Sequence, residues 1–96
     1  APAAPVMRGP ISNPACARIR SIAAQLETIR TQKSVIAVGN RTRWCPLNRQ
    51  QIVLNDEMIR IFDGDFDHCG ARDPAINRLR RANEKLRVAT AGACGP

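Results

Sequence analysis

Aromatic residues are nearly missing: the chain has one Trp, two Phe and no Tyr. A core must therefore be aliphatic, drawn from Ile, Leu, Val, Met and Ala, and single-stranded nucleic acid would find few platforms to stack on. Long apolar runs are missing too. The longest is Val35-Ile36-Ala37-Val38, far short of the roughly 20 residues needed to cross a bilayer. No two cysteines form a Cys-x-x-Cys pair, which argues against a structural zinc site and excludes a thioredoxin-type redox motif. Histidine occurs once, at His68.

What is present describes a single folded unit. Ninety-six residues, 44% hydrophobic and 24% charged, are globular in composition and suffice for one domain. Four cysteines, Cys16, Cys45, Cys69 and Cys94, make an even count in a short chain, which favours two disulfides. The start Ala-Pro-Ala-Ala-Pro fits a mature chain after signal-peptide removal. Together these predict an exported protein, periplasmic or extracellular.

Pro and Gly are frequent at the start, so residues 1–13 are expected to be an extended arm and residues 14–96 one domain. Asn13-Pro14 carries a capping residue followed by Pro, a helix-start signal. Ile19, Ile22, Leu26, Ile29, Lys33 and Ile36 then recur at three- and four-residue steps, one stripe of an amphipathic helix ending at Gly39-Asn40. Its β-branched last two turns favour fraying. Residues 39–47 read as a basic loop, and Asn48 with Gln51 as a capping box opening a second helix to about Phe62. Ile52, Leu54, Met58, Ile59, Ile61 and Phe62 cover about half of that helix's circumference, the arc of a central helix. Gln51 and Asn55 fall inside the arc and require hydrogen-bond partners. Asp73-Pro74 opens a third helix to about Thr90, with Ile76, Leu79, Ala82, Leu86 and Ala89 predicted inward and Gly92 beyond its end.

Three helices with short connections predict an all-α, antiparallel three-helix bundle. Up-down-up topology sets Cys16 and Cys69 at one end and Cys45 and Cys94 at the other. The pairing it permits is Cys16–Cys69 with Cys45–Cys94, since bridged Cα atoms lie within about 7 Å. Each bridge would close about fifty residues, worth roughly 4 kcal/mol in the chain-entropy model.

Charge is abundant and uneven. The net charge is +7, from 15 basic and 8 acidic side chains. Residues 1–49 hold one acidic side chain, Glu27, whereas residues 50–70 hold five. Arg41, Arg43, Trp44 and Arg49 surround the first connection, and Trp and Arg are enriched in binding hot spots. Arg78, Arg81, Lys85 and Arg87 give the third helix basic faces. These residues are the expected contact surface for an acidic protein or an anionic envelope surface. A membrane surface is open to such a chain, a membrane crossing is not. Nucleic acid is disfavoured by the missing aromatics and by the oxidising compartment that the cysteines imply.

The second connection contains Asp63-x-Asp65-x-Asp67 directly after a helix end. It resembles the first half of an EF-hand loop, in which alternating carboxylates wrap calcium. Where that loop turns on Gly this chain has His68, where it closes with a bidentate Glu it has Pro74, and Cys69 tethers it. The resemblance implies a calcium-responsive helix-loop-helix module as the alternative function. Catalysis finds little support: His68 lies in a polar turn, and a disulfide would consume the Cys69 thiol. The expectation is a non-enzymatic binding or accessory protein.

Overall fold

Three α-helices and two short 3-10 turns account for the fold, and no strand occurs among the described residues. The computed structural model describes residues 13–95. The arm expected over residues 1–13 lies, except for Asn13, outside them. Asn13 caps as predicted, its Oδ1 accepting from the Ala15 N–H at 3.0 Å, but what it opens is a 3-10 turn, Pro14–Ala17. Helix α1 follows as Arg18–Ser34. It stops at the β-branched run, with Val35 as its C-terminal cap.

Helix α2 spans Arg41–Gly64, so it starts seven residues before the predicted capping box. Asn40 is the cap, its Oδ1 accepting from the Arg43 N–H at 3.3 Å. The expected loop 39–47 is therefore mostly helix, with Pro46 inside it. A Pro at that depth removes the bond its N–H would make to the Thr42 carbonyl, a cost of about 3 kcal/mol in a helix interior. The Cys45–Cys94 bridge pins the adjacent residue and opposes that cost. Asn48 is no cap: it is buried in mid-helix, and its Nδ2 donates to Thr90 Oγ1 at 3.3 Å.

Helix α3 spans Asp73–Cys94. Arg72 occupies the cap position, so Asp73 is the first helical residue and its carboxylate makes no capping bond. There a carboxylate still favours the N-terminal dipole. The helix continues through Gly92 to Cys94, and Gly95 caps it with a φ of 82° that glycine adopts readily.

Helix α2 is central. It packs along both α1 and α3, which hardly meet each other. The apolar core joins Ile22 and Ile29 of α1, Leu54, Met58 and Phe62 of α2, and Ile76 of α3. Each such side chain contributes about 1.5–3 kcal/mol by leaving water. The α2–α3 seam departs from the predicted pattern. Ala82 and Ala89 are exposed, whereas Asn83 and Thr90 are buried beside Asn48 and Asn55. Asn55 Nδ2 donates to Asn83 Oδ1 at 3.1 Å, and Asn83 Nδ2 donates to Asp56 Oδ1 at 2.8 Å. The partner required for Asn55 is thus another asparagine. Gln51 is matched by Lys33, whose Nζ donates to its Oε1 at 3.0 Å.

Both disulfides take the predicted pairing, Cys16–Cys69 with Cα atoms 5.5 Å apart and Cys45–Cys94 with Cα atoms 5.9 Å apart. One bridge closes each end of the bundle.

Candidate functional site

The two bridged ends differ in chemistry. At the Cys45–Cys94 end, α1 turns into α2 through residues 35–40. The turn is closed by the Ile36 N–H donating to the Lys33 carbonyl and the Asn40 N–H donating to the Ala37 carbonyl. Trp44 lies in the first turns of α2, and its Nε1–H donates to the Val38 carbonyl at 3.0 Å. The indole is half-buried and locked across the turn. Two valines of the turn are not covered: Val35 is 81% exposed and Val38 93%. Two shallow clefts share Ile36, one of 280 Å³ running to Pro46 and Leu47 and one of 250 Å³ against Val38 and Trp44.

Arg41 and Arg43 stand exposed beside this turn and form no ion pair among the described residues. From Thr28 to Asn55 the chain carries Arg30, Lys33, Arg41, Arg43 and Arg49 and no carboxylate side chain. Lys33 is held below its usual pKa, first by burial and then by Arg30. The other basic residues singled out by sequence are distributed differently. Arg49 Nη2 donates to the Cys94 carbonyl at 3.0 Å, so it fastens the end of α3. Arg87 is bound by Asp56 at 2.9 Å, whose hydrogen bond holds the guanidinium more firmly charged, and it lies 3.6 Å from Glu84. Arg78, Arg81 and Lys85 line the outer face of α3, turned away from its buried residues. Lys85 sits nine residues before Cys94, about 14 Å along the helix. The structure therefore gathers Arg41, Arg43 and Trp44 and leaves the α3 stripe apart.

Sequence reasoning missed Val35 and Val38 as a surface, and placed Ile36 inside α1, which ends at Ser34, whereas Lys33 lies in its last turn as expected. The available signal was the apolar run Val35–Val38 placed directly before Gly39-Asn40, where no helix can continue to bury it.

The Cys16–Cys69 end carries the acidic turn, with arginines around it. Asp65 is the organiser of its turn: its Oδ2 accepts from the Cys69 N–H at 2.8 Å and its Oδ1 from Asn13 Nδ2 at 3.1 Å. The Cys69 backbone bond, followed by the Asn13 amide, holds its carboxyl below the ordinary range. These contacts stabilise a strained backbone in which His68 and Cys69 both have positive φ, 53° and 52°. His68 Nδ1–H donates to the Phe62 carbonyl at 2.8 Å. Asp63 pairs with Arg80, Asp67 is exposed, and Phe66 is 97% exposed. Asp63 and Asp65 thus have different partners, and among the described residues the three aspartates are not gathered into one candidate ligand group. The candidate metal-ligating group among the described residues is Cys16, Asp65 and Cys69, in which both sulfurs are spent in a disulfide.

Comparison with protein-family models, with curated proteins and with solved structures finds nothing that matches this chain. Two disulfides are characteristic of an oxidising, exported environment. No helix among the described residues is long and apolar enough to cross a membrane.

Proposed function

We propose that the protein is a non-enzymatic binding module of the periplasm or extracellular space, and that it docks an anionic target through the Trp44 end. One observation carries this: Arg41 and Arg43 are exposed, have no acidic partner among the described residues, and flank exposed valines around a locked indole. Arg18, Arg80 and Arg87 are by contrast neutralised by Glu57, Asp63 and Asp56, whereas the exposed Arg78, Arg81 and Lys85 lie along the outer face of α3, away from this turn. Unbalanced charge beside exposed apolar surface is the combination that supports both steering and adhesion. The two disulfides are stable where no thiol system reduces them, which suits an exported scaffold.

Net charge alone would make any +7 protein adhere to polyanions, so the test compares two variants of equal charge. Binding to polyglutamate at low salt is measured for Arg41→Ala/Arg43→Ala and for Arg78→Ala/Arg81→Ala. The first pair is expected to weaken binding about tenfold and the second by about twofold or less. Equal losses would show that the contact is set by overall charge, and would reject this end as the docking surface.

A further inference from the structure

We infer that the anionic target is a phospholipid surface, met with the Val35–Val38 turn at headgroup depth and Arg41 and Arg43 against the phosphates; this rests on the proposal that the Trp44 end is the docking end. Three features favour a bilayer over a folded acidic partner.

First, the apolar side chains protrude. Val35 and Val38 stand almost free of the fold, and the neighbouring clefts are shallow depressions that enclose nothing. A protein partner would need a matching hollow, whereas a fluid interface accepts protruding aliphatic groups of any arrangement. Second, two free charges stand beside the protrusion. Arg41 and Arg43 begin the helix that follows the turn; on the helix that precedes it, Arg30 is paired with Glu27 and Lys33 donates to Gln51. Trp44 sits between these groups with an apolar body and a hydrogen-bonded nitrogen, the character that places Trp at membrane interfaces. Third, the acidic turn is remote from the docking end. The acidic turn begins where α2 ends at Gly64, twenty residues and about 30 Å from Trp44 at 1.5 Å per residue. That separation is several Debye lengths at physiological salt, about 8 Å each. An anionic surface therefore attracts one end without repelling the other. Insertion is shallow and reversible, because two valines and part of an indole are all that enters.

The intact, oxidised protein supplies its own probe, since Trp44 is its one Trp. Its emission is followed on titration with vesicles of phosphatidylcholine containing about 30% phosphatidylglycerol, and with phosphatidylcholine alone. Expected are a blue shift and saturable binding on the anionic vesicles, at least tenfold weaker binding without phosphatidylglycerol, and no competition by millimolar inorganic phosphate. Val35→Ser/Val38→Ser should weaken binding about tenfold. Val53→Ser/Val88→Ser removes two other exposed valines, 62% and 63% exposed, and should leave binding within about twofold. Circular dichroism checks that both variants keep their helices. Equal losses from the two serine pairs, or no preference for anionic lipid, would overturn the inference. If vesicles fail to bind while polyglutamate still depends on Arg41 and Arg43, the lipid assignment falls and the docking end stands. If neither binds, both fall.

Discussion

Replacing Asn83 with Ala should destabilise the fold by about 3.5 kcal/mol, although it deletes only a small polar side chain. Asn83 is 2% exposed. It accepts from Asn55 at 3.1 Å and donates to Asp56 at 2.8 Å. A neutral hydrogen bond contributes about 1 kcal/mol net, and one to a carboxylate about 1.5. Ala would also leave the Asn55 Nδ2 buried with no acceptor, about 1 kcal/mol more. Removing both members is different in kind. Asn55→Leu/Asn83→Leu fills the seam with apolar volume, strands neither amide, and should cost about 1 kcal/mol or less. The assay is urea unfolding of the oxidised protein followed by far-ultraviolet circular dichroism. A loss below about 0.5 kcal/mol for Asn83→Ala would mean that water readily replaces both partners. A paired variant costing as much as the sum of the singles would mean that the two amides are not coupled.

The remaining predictions concern the ends and the core. Asp65 and Glu57 are both held below the ordinary carboxyl range, by the Cys69 N–H and by Arg18 respectively. A lowered folded pKa adds stability that is present above the unfolded value near pH 4 and lost as pH falls towards the folded one. The melting temperature should therefore drop on acidification below about pH 4, and Asp65→Asn should melt lower at neutral pH with a flatter acid limb. Cys45→Ser/Cys94→Ser opens a loop of sequence separation 49 and should cost about 4 kcal/mol in chemical unfolding. It should also fray the Pro46-containing start of α2, visible as a red shift of Trp44 emission. Ile22→Ala, at a position with 0% exposure, should cost about 3–4 kcal/mol. Val53→Ala, on the outside of α2, should stay within about 0.5 kcal/mol.

The helices and the bridge pairing were legible because periodicity and topology are strong constraints. Ile19, Ile22, Leu26 and Ile29 can share a face only in a helix, and an antiparallel bundle leaves each cysteine one reachable partner. The start of α2 was obscured by Pro46, a residue whose local preference argues for a loop; tertiary pinning by Cys45 and the Asn40 cap overrode it. Hydrophobicity placed Ala82 and Ala89 in the seam, but it is blind to asparagines that satisfy one another, and Asn55 with Asn83 took the buried positions. At the basic end, Arg41, Arg43 and Trp44 were visible as residue types. Which charges were already spent was not, because the partners of Arg49 and Arg87 lie 45 and 31 residues away. The acidic turn shows the same limit: alternating aspartates suggest convergence, whereas Asp65 folds back onto Cys69 and Asp63 reaches α3.

The most direct test of a single docking end is amide hydrogen exchange of the intact protein with and without anionic vesicles. Protection confined to residues 34–46, with residues 63–73 and the outer face of α3 unchanged, is the predicted footprint. Protection spread along Arg78, Arg81 and Lys85, or centred on the Phe66 turn, would contradict it.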